Sequence, residues 1–208
     1  MTTPKDTVPN LHQVPKNTLF KNMYWSWEGV LSSDFCDLVL KDLDWDNAED
    51  GKIRTSMSMK RDDPKAMNPI KRITKVLWQD FTTPIAAVAY HYTLMANKAA
   101  DWNFNIEQPQ AVQLGRYNVG GHYSWHCDCG VPDENNFQRK LSCTILLNDF
   151  SEYDGGLLEF IDLPEESQPP TTKGSIIIFP SILVHRVTPV TRGERFSAVC
   201  WSLGPPFK

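Results

Sequence analysis

The sequence lacks most of what would set it apart from ordinary globular proteins. No apolar run approaches the ~20 residues that span a bilayer, and the opening MTTPKDTVPN has neither the basic nor the apolar block of a secretory signal. A cytoplasmic setting is the expectation. Cysteine is scarce and odd in number, at Cys36, Cys127, Cys129, Cys143 and Cys200. Without framework spacing, that count excludes a disulfide scaffold and points to reduced thiols. A net charge of −4 offers no global attraction to nucleic acid. Internal repeats are absent, and 208 residues suit one domain with a core that needs no staples.

What charge there is lies unevenly. Residues 34–50 hold seven acidic and one basic residue, whereas residues 52–75 hold eight basic and two acidic ones. Solvated surface is the reading favoured for both blocks over a binding role.

Residues 1–21, polar and broken by Pro4, Pro9 and Pro15, read as a loosely held lead-in to a single domain over 22–208. A first strand is predicted over Met23–Val30. Ser32, Ser33 and Asp34 then offer an N-cap to a helix over Phe35–Trp45, whose apolar residues Phe35, Leu38, Val39 and Leu43 share one face. A short strand is expected at Ile53–Met59 and a loop over 60–69. Helical spacing returns from Ile70 to Asn97, with a break at Thr83-Pro84 that suggests two helices. Ile85, Val88, Ala89, Tyr92 and Met95 mark the buried face of the second.

Beyond residue 108 the texture becomes that of strands: Gln110–Tyr117, His122–Asp128, Leu141–Leu147, Gly156–Phe160, Ser175–Phe179, Leu183–Val187 and Arg195–Leu203. Helices followed by seven or eight short strands imply an α+β, mainly β chain. The expected architecture is a double-stranded β-helix (jelly roll), its core at about 110–203, with a supporting N-terminal helical layer.

Chemistry concentrates in Gly121-His122-Tyr123-Ser124-Trp125-His126-Cys127-Asp128. Residues two apart on a strand share a face, so His126 and Asp128 would stand side by side. A third ligand from another strand would complete a two-His, one-carboxylate face with open positions for Fe(II) chemistry. Alone, H-x-D occurs often by chance. His185 interrupts an apolar strand and reads either as a satisfied core histidine or as that third ligand. The turn Thr188–Glu194 suggests a hairpin that brings the Arg195 strand beside the His185 strand. Arg195, Ser197, Val199 and Trp201 then share one face. A buried arginine cannot shed its proton and needs an anion, such as a dicarboxylic co-substrate. Cys127-x-Cys129 has no second cysteine pair, which disfavours a zinc knuckle. His122, roughly 13 Å before His126 in extended chain, suits the pocket mouth better than the metal.

Five blocks in order carry a family resemblance: Gln113–Tyr117 with Gly121–Asp128, Leu141–Asp149, Tyr153–Phe160, Gly174–Ser181, and His185–Trp201. Together they resemble the 2-oxoglutarate- and Fe(II)-dependent oxygenases of the prolyl 4-hydroxylase superfamily, and the bacterial PKHD-type hydroxylases within it. The resemblance is close over about residues 110–203 and extends to the N-terminal hundred only in general layout. It implies that His126, Asp128 and His185 bind Fe(II). It also implies that Arg195, supported by Ser197, and Tyr117 hold 2-oxoglutarate, although Tyr117 can equally be a barrel-wall aromatic. Leu146 stands where some members carry a tyrosine, so the carboxylate grip is expected to differ in detail.

The implied reaction is hydroxylation of a substrate C–H bond with release of succinate and CO2, with O2 as co-substrate and ascorbate as a reductant. The implied substrate is a peptidyl proline in a peptide or protein. The same chemistry on a free amino acid or other small molecule stays open, as does a ligand-binding jelly roll without turnover. Nucleic-acid dealkylases share the H-x-D…H pattern but carry a second arginine six residues after the first, where this chain has Trp201. Membranes and nucleic acid are not expected partners. Arg139, Tyr123, Trp201 and Arg61 are carried as candidate substrate contacts. A lid over residues 52–70, with Lys52, Arg54, Lys60, Arg61 and Lys65 facing an acidic partner, is weighed against a plain charged loop.

Overall fold

The computed structural model describes residues 21–52 and 71–207. The lead-in up to residue 20, the strand expected at Ile53–Met59, the loop over 60–69, Arg61 and all but the first residue of the expected lid lie outside the described residues. In chain order the first half forms β1 (Trp25–Trp27), α1 (Ser33–Leu40), β2 (Glu49–Asp50), β3 (Arg72–Ile73), β4 (Lys75–Gln79), α2 (Pro84–Ala99) and β5 (Gln108–Pro109). Strands fill the second half: β6 (Val112–Tyr117), β7 (His122–His126), β8 (Gln138–Leu146), β9 (Tyr153–Gly155), β10 (Leu158–Phe160), β11 (Ile176–Pro180), β12 (His185–Val187), β13 (Val190–Gly193) and β14 (Arg195–Gly204). Among the described residues no helix is long and apolar enough to cross a membrane.

Among the described residues these strands form three sheets, each with antiparallel pairing. The large one runs β1-β11-β8-β14-β6-β4-β2 with β5 on β14, the smaller one runs β10-β12-β7-β3, and β13 pairs with β9. This is the expected jelly roll with its helical layer. Side-chain alternation on the large sheet decides where everything sits. Val112, Leu114, Leu141, Cys143, Ile145, Ile176, Ile178, Ala198 and Cys200 form the outward-facing core with α1 and α2. Their alternate neighbours face the smaller sheet. At one end these are apolar, and Leu146, Ile177 and Phe179 pack with Leu158, Phe160 and Leu183. At the other end Gln113, Tyr117, Thr144, Arg195, Ser197, Val199 and Trp201 line a cavity. One end of the roll is therefore filled and the other open.

The helices follow their local signals. Ser32 Oγ accepts from the Phe35 N–H at 3.2 Å and starts α1. That helix ends at Leu40, short of the expected Trp45, which sits in a separate 3-10 turn. Pro84 opens α2, and small buried residues Ala86, Ala89 and Ala96 let it approach the sheet. Met95, expected on the buried face, is 43% exposed.

Other expectations need correction. Where helix was expected over 71–79, the chain forms the strands β3 and β4: Arg72, Thr74 and Val76 are buried between exposed Lys71, Ile73 and Lys75, a period of two. The buried face is polar there, which hid the alternation. The predicted hairpin joining the His185 and Arg195 strands does not form. β12 pairs with β10 and β7, whereas β14 pairs with β6 and β8, so the chain crosses between sheets by way of β13. Part of Thr188–Glu194, expected as a turn, is itself the strand β13, paired with β9.

Candidate metal centre and cavity

Cross-strand pairing brings the histidines together. His126 ends β7 and His185 begins β12, and the two are Cα partners in the antiparallel register. Their ring centres lie 4.2 Å apart. Asp128 is not on the strand, which stops at His126; it sits in the following bend, held there by its N–H to the Ser181 carbonyl at 2.8 Å. Its carboxylate nevertheless reaches both rings, 3.5 Å from each Nε2. One ligand-type atom from each residue lies within 4.8 Å of the other two. Among the described residues this is the one such group found.

The neighbours fix these three for ligation. His126 Nδ1 lies 2.8 Å from the Ser124 carbonyl, and His185 Nδ1 lies 2.9 Å from the Leu183 carbonyl. A carbonyl only accepts, so each Nδ1 carries a proton, and each Nε2 is turned toward Asp128. Burial and the neighbouring His126 push His185 down to about 4, so it is neutral at pH 7. Burial alone would raise the Asp128 carboxyl. The contacts with His185 and His126 outweigh that and hold it well below its usual range. Ser142 Oγ donates to Asp128 Oδ2 at 2.8 Å and lies 2.9 Å from Ser181 Oγ. These two fully buried serines were missed in the sequence, where Ser142 showed only as a polar break in Leu141–Leu147.

The triad opens onto a cavity of about 670 Å3 that also holds Tyr117, Tyr123, Arg139, Arg195, Ser197 and Trp201. Arg195 is 1% exposed, the largest fully buried side chain among the described residues. Its Nη1 donates to Ser197 Oγ at 2.9 Å, its Nε has no partner, and no carboxylate among the described residues pairs with it. The guanidinium carbon stands 5.3 Å from the ring centre of Tyr117, its Cα partner across β6 and β14. Two glycines make the room. A Cβ at Gly115 would come within 3.2 Å of the Tyr117 ring, and one at Gly156 within 2.7 Å of Arg195 Cδ. Leu146 packs into the apolar end of the roll. Tyr153, unforeseen in the sequence, lies near Arg195; burial raises its phenol more than that charge lowers it.

Tyr123 stacks on His126 with ring centres 3.4 Å apart, and burial is the main cause that pushes its phenol up to about 12. Arg139 lies over Trp201 at 3.7 Å and donates from Nε to Gln110 Oε1 at 2.7 Å. Cys127 and Cys129 lie on the rim, their sulfurs 3.7 Å apart. His122 does not line the cavity; its Nδ1 meets the Gly120 carbonyl.

Residues 112–203 match the family model described as the 2OG-Fe(II) oxygenase superfamily. The core of this chain resembles those oxygenases. A PKHD-type hydroxylase of Xylella fastidiosa is 37% identical over 97 residues, covering 43% of this chain and 42% of that protein. The matched part thus spans about two fifths of that curated relative. In three dimensions the chain is similar to the viral collagen prolyl hydroxylase of Paramecium bursaria Chlorella virus 1, in a 2OG complex. The TM-score is 0.63 at 20% identity, over 88% of this chain and 97% of that one. A Pseudomonas putida prolyl-4-hydroxylase gives 0.62 at 19% identity, over 88% and 92%. At these identities the structural likeness speaks for the shared jelly roll.

Proposed function

We propose that this protein is an Fe(II)- and 2-oxoglutarate-dependent dioxygenase that hydroxylates a peptidyl proline and releases succinate and CO2. The observation that carries the reading is the pairing, in one cavity, of a His-Asp-His cluster with the buried, uncompensated Arg195. The donor set of two imidazoles and one carboxylate is the one that suits Fe(II) while leaving positions open. A buried guanidinium with an idle Nε is a fit for a carboxylate, because it donates only and stays charged. Fe(II) bound with 2-oxoglutarate supplies the oxidising chemistry on O2.

The chain's residues would do the rest. His126, Asp128 and His185 hold the metal, with Ser142 and Ser181 keeping Asp128 in place. Arg195, braced by Ser197 and flanked by Tyr117, takes the far carboxylate of 2-oxoglutarate. Tyr123, Arg139 and Trp201 border the remaining space, where substrate would sit. Proline as the target draws on the names of the relatives. A reducing, cytoplasmic setting agrees with five free thiols. The test is a screen of proline-containing peptides and free amino acids, scored by succinate release and a mass gain of one oxygen. Succinate without a hydroxylated product from any peptide would remove the proline assignment, and no 2-oxoglutarate binding would remove the whole reading.

A further inference from the structure

Arg195 is not the only buried cation in the cavity wall. Arg72, on β3, is 9% exposed and lines the same space. Its Nη2 donates to Gln113 Oε1 at 2.6 Å and its Nη1 to the Lys52 carbonyl at 3.4 Å, whereas its Nε is buried with no partner. A guanidinium carries five N–H donors, so three remain unused among the described residues. No carboxylate among those residues forms an ion pair with it. Its guanidinium carbon lies 4.7 Å from the ring centre of Tyr123, which stacks on His126 at 3.4 Å. Taken end to end, those separations put the charge within about 8 Å of the His126 ring.

The co-substrate does not answer this charge. Gln113, which anchors Arg72, and Tyr117, which faces Arg195, are four residues apart on β6, roughly 13 Å of strand. A short diacid held at the metal and at Arg195 leaves Arg72 unpaired. Trp201 Nε1, a donor only, is likewise buried in the cavity wall without a partner. Two buried donors in the cavity wall away from Arg195 therefore want an acceptor, and one of them is a full charge.

Resting on the reading of this cavity as an oxygenase's substrate pocket, we infer that the substrate carries a carboxylate and that Arg72 binds it. Arg72 is thus a specificity residue. A charge-assisted pair there would seat the substrate one aromatic ring away from the metal ligands, with Tyr123 between them. The carboxylate can come from a free amino acid or from an acidic side chain beside the target residue of a peptide.

Anaerobic calorimetry on the protein loaded with Fe(II) and saturating 2-oxoglutarate separates these sources, because Arg195 is then occupied. Two matched probe pairs are titrated: L-proline against L-prolinamide, and acetyl-Asp-Pro-Ala-amide against acetyl-Asn-Pro-Ala-amide. The carboxylate member of one pair should bind at least tenfold tighter than its partner, and which pair does so names the source. Arg72→Gln should bring the two members to parity, while Arg72→Lys, which keeps the charge, should retain part of the difference. Equal binding within both pairs, no binding by either carboxylate, or a preference that survives in Arg72→Gln overturns the assignment. Binding of 2-oxoglutarate is recorded first on each sample. A failure of the oxygenase reading shows in that step, separately from the probe pairs, and the same step reports that each variant keeps its cavity.

Discussion

Replacing Arg195 by methionine should have opposite effects on the ligand-free fold and on co-substrate binding. The side chain is 1% exposed, donates to Ser197 Oγ and meets the Tyr153 phenol, with its Nε idle. In the ligand-free protein it is a buried charge with no counter-ion among the described residues. A well-packed apolar residue in such a place is often neutral or stabilising by about 1–4 kcal/mol. For a chain of this length each kcal/mol moves the melting temperature by about 2–4 °C. The metal-free Arg195→Met protein should therefore melt no lower than the wild type. Binding should behave otherwise. Truncating one partner of a buried, hydrogen-bonded charge pair costs about 2–5 kcal/mol, or roughly 30- to 4,000-fold in Kd. Calorimetric titration of 2-oxoglutarate into anaerobic Fe(II) protein measures the second effect, and scanning calorimetry the first. A Kd within threefold of wild type would refute the role of Arg195, and a large drop in melting temperature would show that its charge is compensated inside the fold.

Three further outcomes follow from the geometry. His126→Ala, Asp128→Ala and His185→Ala should each weaken Fe(II) binding at least tenfold, measured by competition with a colorimetric chelator, while far-UV circular dichroism stays native; wild-type affinity in any one removes that residue from the centre. Gly156→Ala puts an L side chain at φ +61°, with its Cβ 2.7 Å from Arg195 Cδ. It should cost about 1–3 kcal/mol in denaturant unfolding and also weaken 2-oxoglutarate binding; a silent substitution would show that Arg195 has freedom the packing denies it. Cys200, raised from 9.0 to about 11 chiefly by burial, gives an alkaline signature. Its thiol stays protonated in the fold while the unfolded chain ionises first, so this stability is complete below pH 9 and is lost as pH rises through about 11. The loss is about 3 kcal/mol for the two-unit shift, and Cys200→Ala should flatten that alkaline limb in thermal melts at pH 8 and 10.5. An identical fall in both proteins would contradict it.

What could be read from the chain followed the strength of its local signals. Strands β8, β11 and β14 are long or β-branched and alternate clearly, so their existence and their faces were legible. Their partners were not. Periodicity says which way Arg195 and Ser197 point, but nothing in Thr188–Glu194 shows that the chain leaves one sheet for the other there. β3 and β4 were misread as helix because the residues they bury begin with Arg72 and Thr74 while Ile73 is left outside, which inverts the usual apolar pattern. Arg72 was missed as a cavity residue for the same reason. At the centre, His126 and Asp128 came from their spacing and His185 as a polar break in an apolar strand. The serines that hold Asp128 depend on a contact between β8 and the turn after β11, which no local pattern encodes.

The central claim is that one cavity binds Fe(II) and 2-oxoglutarate together, and anaerobic titration followed by visible absorption tests it most directly. Adding 2-oxoglutarate to the Fe(II) protein should produce a weak charge-transfer band that saturates at one equivalent. The band should be absent in His185→Ala and should need far more 2-oxoglutarate in Arg195→Met. No band in the wild type, or one that is undiminished in His185→Ala, would contradict the account.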